Sequence, residues 1–332
     1  MSKKTARRVS SNIYGDIKLF AGTASPDVAQ DIADYLGEEL CGRDVIHFHN
    51  DNLLVRLHRS VRGQDVYVIQ TTSRPVHRNL MELLIMIQTL RLDSAARITA
   101  VIPFLSYARS DKKDQPRISL TARLVADMIE VAGADRYMTL DLHAGQIQGF
   151  FSIPGDVLTT FHLINDYVKH ELKTKLKDPV VVTTDLGFAK RGRNFAENID
   201  APLALIEKRR TSNNSEAEAL NLVGDVKGCD VVIVDDEVDT ASSVVQAVEL
   251  IKEHGAGDIY LIFVHAVLSD PAAELLASLP LTEIITTDTV PIPPEKVAIL
   301  GENLTILSIA PLLGEVIRRA HEGRSVGEMF NE

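Results

Sequence analysis

The sequence predicts an α/β protein built from two similar domains, each a mostly parallel sheet flanked by helices. Three observations carry this. Short β-branched runs alternate with helical patterns along most of the chain. The runs are near-continuously apolar, as strands covered on both faces must be. And one unit of strand, polar loop and helix occurs twice. Gln64–Gln70 runs into Thr71-Thr72-Ser73 and a helix, and Cys229–Val234 runs into Asp235–Ser243 and a helix.

In chain order, Ser25-Pro26 reads as an N-cap followed by a first-turn proline. Val28, Ile32 and Tyr35 then share one face, and Gly37 stops the helix. Strands are expected at Val66–Gln70, Ile98–Ile102, Arg136–Leu140, Val180–Thr183, Val231–Val234 and Tyr260–Val264. Leu80, Leu83, Leu84 and Ile87 form the apolar stripe of a second helix. Ser119 is placed to cap a third, carrying Leu120, Leu124, Met128 and Ile129 and closed by Gly133. Val244, Val245, Val248 and Ile251 form a fourth, closed by Gly255. Strand–helix alternation over this length implies parallel sheets with helices on both faces. Arg209–Glu218, with Ser212-Asn213-Asn214-Ser215 inside it, is polar and small and reads as a mobile loop.

The 332 residues suffice for two domains of ordinary size. The boundaries are expected at 1–15 for a disordered tail, 16–160 for the first domain and 161–317 for the second, with 318–332 packing back on the first. No apolar run approaches the roughly 20 residues that span a bilayer, and no apolar stretch follows the basic start Met1–Arg8 as a signal peptide requires. Two cysteines, Cys41 and Cys229, make no disulfide framework, so a reducing cytoplasm is expected and both read as small apolar filler. The net charge of −11 argues against broad nucleic-acid binding, which needs a basic face. The chain has no tryptophan and few aromatics to stack on single strands.

The strongest local signal is Val231–Ser243. A buried strand is expected to end in two carboxylates, Asp235 and Asp236, and a hydroxyl-rich turn then leads into a helix. In open α/β sheets, ligands bind at the carboxyl ends of strands. Backbone N–H groups at the helix start, with the Thr240, Ser242 and Ser243 hydroxyls, suit an anion such as phosphate. The acids before them can accept hydrogen bonds from sugar hydroxyls. The alternative is an ordinary strand end with an Asp cap. Tyr107–Asp114 follows another strand and is dense in charge, either a clamp for phosphates or a solvated turn.

The Val231–Ser243 segment resembles the phosphoribosyl-pyrophosphate loop of the phosphoribosyltransferase-like fold. Further motifs narrow the resemblance to the ribose-phosphate diphosphokinases, or phosphoribosyl-pyrophosphate synthetases, from Lys18 to Phe330. They are Met81–Met86, Tyr107–Asp114, Asp141–Phe151 and Lys208-Arg209-Arg210. The resemblance implies pyrophosphoryl transfer from ATP to the C1 hydroxyl of ribose 5-phosphate, assisted by Mg2+. It implies that Phe48, Asn50, Asn52, Arg109, Ser110, Asp114 and His143 contact the nucleotide. Asp235, Asp236, Asp239, Thr240, Ala241, Ser242 and Ser243 would hold the ribose phosphate, and His143 and Asp185 would lie at the metal. Lys208 and Arg210 match the pair that stabilises the transition state. A cytoplasmic homo-oligomer, a hexamer or dimers that build one, is implied, with Phe48 stacking on adenine from a neighbouring subunit. No nucleic acid or membrane partner is expected. The tail Ser325–Phe330 resembles a segment that packs on the first domain.

The chain departs from the family pattern in four places. Phe48-His49-Asn50-Asp51-Asn52 stands where Phe, a polar residue, Asp, Gly and Glu are usual, so two acids are replaced by amides, which accept hydrogen bonds without charge. Ser110 replaces a usual Gln. Gln115-Pro116-Arg117 is shorter than in many relatives, which puts phosphate and ADP regulation in question. Ser242 replaces a common Gly in the phosphate loop. These departures leave two rival readings, a related acceptor such as ADP-ribose or a catalytically silent regulatory subunit; a phosphoribosyltransferase is a third, disfavoured by the ATP segment and the two-domain length.

Overall fold

The computed structural model describes residues 13–210 and 218–330, the side chains of 208–210, 218–219 and 330 excepted. The chain forms two compact units. Of the described residues, one contains 13–139, Gln146–Asp156 and 310–330; the other contains Leu140–Gly145 and those between Val157 and Ile309.

The first unit is built on β1 (Ile17–Ala21), α1 (Pro26–Leu36), the hairpin of β2 (Arg43–His47) and β3 (Leu53–Leu57), β4 (Asp65–Ile69), α2 (Val76–Leu92), β5 (Arg97–Ile102), α3 (Thr121–Ala132), β6 (Arg136–Leu140) and β7 (Gly155–Leu158). The main sheet runs β1-β4-β5-β6-β7, and the pairs β1–β4, β4–β5 and β5–β6 are parallel. Every residue of β4 and β5 is buried, as their unbroken apolar runs require.

Several helix-end expectations need correction. Pro26 opens α1 and Gly37 closes it with φ 71, but the Ser25 hydroxyl makes no cap hydrogen bond. Its Oγ accepts the N–H of Thr71 at 2.8 Å instead, joining the helix start to the end of β4. Ser119 does not cap α3: the cap position is Leu120, and the Ser119 hydroxyl pairs with that of Thr121. The buried face of α3 is Ala122, Val125, Ala126 and Ile129, while Leu124 is 53% exposed. Small alanines, invisible to a search for large apolar residues, set that face.

The second unit continues with α4 (Phe161–Tyr167), β8 (Val180–Thr183), α5 (Ala189–Asn198), β9 (Leu203–Arg210), β10 (Glu218–Val223), β11 (Val231–Val238), α6 (Ser242–Glu253), β12 (Ile259–Ala266), α7 (Ala272–Ser278), β13 (Glu283–Thr287), α8 (Pro294–Leu300) and β14 (Leu304–Leu307). Its sheet order is β10-β9-β8-β11-β12-β13-β14, and only the β10–β9 edge is antiparallel. Alternate residues of one strand enter opposite cores. Val231 and Ile233 pack with Val244, Val248 and Ile251 of α6, whereas Val232 and Val234 pack with Ile164, Phe188 and Phe195. That two-sided burial explains why β11 reads as a continuous apolar run. Fully burying such a side chain is worth about 1.5–3 kcal/mol.

After β14 comes α9 (Ala310–Glu322), a helix of the first unit that packs against α1. Here Arg97 donates to Asp65 at 2.7 and 2.5 Å, and the ring nitrogen Nδ1 of His321 lies 2.7 Å from the same carboxylate. The Tyr67 hydroxyl donates to Asp65 at 3.0 Å. Asp65 is wholly buried. Burial pushes its carboxyl up, but the hydrogen bonds from His321 and Arg97 outweigh that and hold it below the usual range.

Candidate active site

In the second unit the site grows out of parallel register. Val234 of β11 lies beside Thr183 of β8, so Asp235 and Asp236 emerge beside Thr184 and Asp185. The expectation that the strand ends at these carboxylates is corrected: β11 continues to Val238, and Asp235 still pairs with Phe263 of β12. Lying inside a strand, the two acids are rigid and point to opposite faces.

Each carboxylate is held differently. Asp235 accepts the Thr184 hydroxyl at 2.5 Å and the Asp236 N–H at 2.8 Å. Burial and the neighbouring Asp236 charge push its carboxyl well up from the usual range. Burial also pushes the Asp236 carboxyl up, but the hydrogen bond and charge of His143 outweigh it and leave it low. His143 Nδ1 lies 2.8 Å from Asp236 Oδ2, with Asp236 7% and His143 38% exposed. A buried carboxylate thus orients a half-exposed imidazole.

The Asp141-Leu142-His143 motif divides its labour. Asp141, with φ 37, uses its carboxylate internally: Oδ1 accepts the Thr159 hydroxyl at 2.8 Å, and Oδ2 accepts both the N–H and the hydroxyl of Thr160 at 2.7 Å. Arg191 on α5 donates to the Leu142 carbonyl at 2.7 Å. Only His143 is turned outward. Asp185 is exposed, with Oδ1 accepting the Phe188 N–H at 2.9 Å.

Between β11 and α6 the chain turns through Asp239, Thr240 and Ala241. Ala241 sits at the helix N-cap with φ 62 and makes no side-chain cap, so the first N–H groups of α6 are not capped by it. Ser242 is already helical and its hydroxyl lies 3.1 Å from that of Thr240. The left-handed residue is therefore Ala241, and serine at 242 needs no glycine-like conformation. Asp239 Oδ1 is buried with no hydrogen-bond partner among the described residues, an acceptor suited to a bound hydroxyl or water.

In the first unit, the loop after β5 carries Arg109 and Asp114, both exposed, and Ser110, half-buried with its N–H donating to Tyr107 at 2.9 Å. Tyr107, with φ 63, stacks on His77 and places its hydroxyl 2.8 Å from His77 Nε2. Asp111 is buried and accepts the Gln146 side-chain amide, so it braces the loop. Lys112 and Lys113 are exposed.

The β2–β3 hairpin carries Phe48, Asn50 and Asn52. Its turn closes with Phe48 N–H donating to the Asn52 carbonyl at 2.8 Å and Asp51 N–H donating to the Phe48 carbonyl at 3.0 Å. Asp51 has φ 66, a conformation that Asp tolerates and Gly adopts freely. Phe48 is 49% exposed, and the Asn50 amide oxygen accepts the Asn52 N–H at 3.3 Å.

Lys208 and Arg210 have their backbones in β9, opposite Leu220 and Glu218 of β10. Their side chains lie outside the described residues, as do 211–217 of the loop expected over Arg209–Glu218; that expectation is corrected at its ends, where the backbones of Arg209, Arg210 and Glu218 pair in the β9–β10 ladder. Sequence reasoning missed Arg191 and His265. His265 directly follows the expected strand Tyr260–Val264, as Asp141-Leu142-His143 directly follows the expected strand Arg136–Leu140.

An open parallel sheet with paired acids near a strand end, an outward imidazole and a helix start without a side-chain cap defines an α/β protein for a phosphorylated sugar or nucleotide. Comparison with known proteins narrows this. Residues 17–133 match the N-terminal domain of ribose phosphate pyrophosphokinase, and residues 211–331 match the phosphoribosyl synthetase-associated domain. The chain is 47% identical to a ribose-phosphate pyrophosphokinase of Caldanaerobacter subterraneus, over 95% of this chain and 98% of that one. It is 45% identical to the chloroplastic ribose-phosphate pyrophosphokinase 2 of Arabidopsis thaliana, over 99% of this chain and 81% of that one. The crystal structure of phosphoribosylpyrophosphate synthetase from Mycobacterium smegmatis superposes with a TM-score of 0.87 at 41% identity, covering 93% of this chain and 99% of that one. The chain belongs to the ribose-phosphate pyrophosphokinase family.

Proposed function

We propose that the protein transfers the β,γ-pyrophosphate of ATP to the C1 hydroxyl of ribose 5-phosphate. The single observation that carries this reading is the β11–α6 segment. It sets two strand-borne acids, the unpartnered buried Asp239 oxygen and a helix start without a side-chain cap along thirteen residues, Val231–Ser243, of a chain in this family.

The 5′-phosphate would be held by Thr240, Ala241, Ser242 and Ser243 at the start of α6, where backbone N–H groups and the helix dipole favour anions. Asp235, Asp236 and Asp239 would accept the ribose hydroxyls. Arg109, Ser110 and Asp114, with His143, would contact the ATP phosphates and sugar, and Phe48, Asn50 and Asn52 the base. The C1 oxygen attacks the β-phosphorus, and the bond from that phosphorus to the α,β-bridging oxygen breaks. AMP leaves with the bridging oxygen, and the C1 hydroxyl proton is released. Lys208 and Arg210 would neutralise charge that grows on the transferring group, in a reaction governed by positioning and electrostatics.

The donors fit Mg2+. Among the described residues no three His, Cys, Asp or Glu side chains cluster as a metal cage. Magnesium takes oxygen ligands, keeps several waters and bridges phosphates. The exposed Asp185 carboxylate would offer an oxygen to that arrangement, and the imidazole edge that His143 turns away from Asp236 would hydrogen-bond to a water or phosphate oxygen around the ion. When bound, the ion offsets negative charge on the triphosphate. No described helix is long and apolar enough to cross a membrane. A cytoplasmic homo-oligomer, a hexamer or its constituent dimers, is consistent with Phe48 standing half-exposed on a hairpin.

The test is incubation with Mg2+, ATP and ribose 5-phosphate, with ADP-ribose in parallel, following AMP and product by mass spectrometry. AMP and phosphoribosyl pyrophosphate in equal amounts are expected. Product from ADP-ribose alone would replace the acceptor, and product from neither would overturn the catalytic reading.

A further inference from the structure

His265 is wholly inside the second unit, 3% exposed at the end of β12, and takes no direct part in the chemistry proposed above. Its Nε2 lies 3.3 Å from the carbonyl of Asp141, and its Nδ1 lies 2.9 Å from the Thr289 hydroxyl. Asp141 stands two positions before His143, in the short loop that presents that imidazole. The other face of the loop is tied by Arg191 to the Leu142 carbonyl and by Asp236 to His143 itself.

Counting protons decides which way the ring is loaded. A carbonyl only accepts, so the nitrogen facing Asp141 must carry a proton. If Nδ1 carried the proton instead, the Nε2 lone pair would face the Asp141 oxygen. If both nitrogens carried protons, a full charge would be buried, which is costly. The remaining arrangement has the Thr289 hydroxyl donating to Nδ1 and Nε2–H donating to Asp141. Thr289 can spare that proton. The Val264 carbonyl that its hydroxyl also approaches, at 3.2 Å, receives the hydroxyls of Thr286 at 3.2 Å and Thr287 at 2.9 Å.

We propose that His265 is a positioning residue: neutral and protonated on Nε2, it clamps the Asp141 carbonyl and so fixes the loop that aims His143 at the metal–nucleotide. Thr289 sets its tautomer. The chain of contacts runs from the β13 end through His265 to the 141–143 backbone. The inference rests on the role given to His143 above, and its test separates the two. Groups that orient a ligating side chain through one intermediate commonly change metal affinity or activity by about 10- to 100-fold.

The experiment compares wild type with His143→Ala, His265→Leu, His265→Gln, Thr289→Val and the double variant His143→Ala/His265→Leu. Binding of ATP with Mg2+, without acceptor, is measured by calorimetry, and unfolding temperature is measured alongside. His265→Leu is expected to weaken binding about 10-fold. His265→Gln, whose amide N–H reaches the same place as Nε2–H, is expected to restore most of it. Thr289→Val is expected to weaken binding in the same direction, and it keeps the test intact if the leucine variant fails to fold. In the His143→Ala background, His265→Leu is expected to add little. A folded His265→Leu protein with lower stability but unchanged binding, or fully additive effects in the double variant, would overturn the positioning role. Unchanged binding in His143→Ala would overturn the reading of His143, and the clamp with it.

Discussion

Asp235→Asn isolates the electrostatic cost built into β11. An aspartate in an unfolded chain ionises near 3.9; in the folded chain, burial and Asp236 push Asp235 up to about 8. The folded protein therefore binds a proton more tightly than the unfolded one. That contribution to stability is complete below about pH 4 and is lost as pH rises towards 8. A full shift of this size corresponds to roughly 6 kcal/mol at 1.4 kcal/mol per unit. Asp235 is only half-buried and shares its charge with Asp236, so about 2 kcal/mol is the reasonable share. Asparagine removes the ionisation but meets two donors, the Thr184 hydroxyl and the Asp236 N–H, with a single acceptor. The mismatch costs about 1 kcal/mol at every pH. Without ligand, the variant is expected to melt below wild type at about pH 4 and above it at about pH 8.5, with turnover largely lost throughout. Melting curves from about pH 4 to 9 test this. Parallel melting temperatures across the range would refute the raised carboxyl and the argument from burial.

Other outcomes are expected from the same geometry. Lys208→Ala and Arg210→Ala should each lower kcat on the order of 100-fold with smaller changes in KM; near-normal turnover in steady-state assays would remove them from the transition state. Asn50→Asp with Asn52→Glu restores two charged acceptors on the hairpin and should lower the KM for ATP by roughly 3- to 10-fold, while an unchanged KM and nucleotide preference would place the base elsewhere. Asp65→Asn leaves Arg97 buried against a neutral partner and should cost about 3 kcal/mol in denaturant unfolding. Because the Asp65 carboxyl is held low, its contribution is present at neutral pH and lost as pH falls below the ordinary carboxylate range, so the difference between wild type and variant should shrink in acid.

Much of the architecture was legible because parallel strands buried on two faces leave a pattern that needs no partner to read. Val231–Val234 is apolar at every position, and Val180–Thr183 at all but its last, because successive side chains enter different cores. Gly37 and Gly133 mark helix ends because both adopt left-handed backbone there. The acids, hydroxyls and helix start of Asp235–Ser243 are consecutive, so that segment could be assembled without a structure. The tertiary structure decided what depends on residues far apart in the chain. Asp236 and His143 are 93 positions apart, yet one orients the other. His265 reaches the Asp141 carbonyl across 124 positions, and Ser25 is drawn from its helix by Thr71. Hydrogen bonds of this kind carry no periodicity and no local composition. They arise from which strands lie side by side, and the register of β8, β11 and β12 is set by the whole core rather than by any one segment.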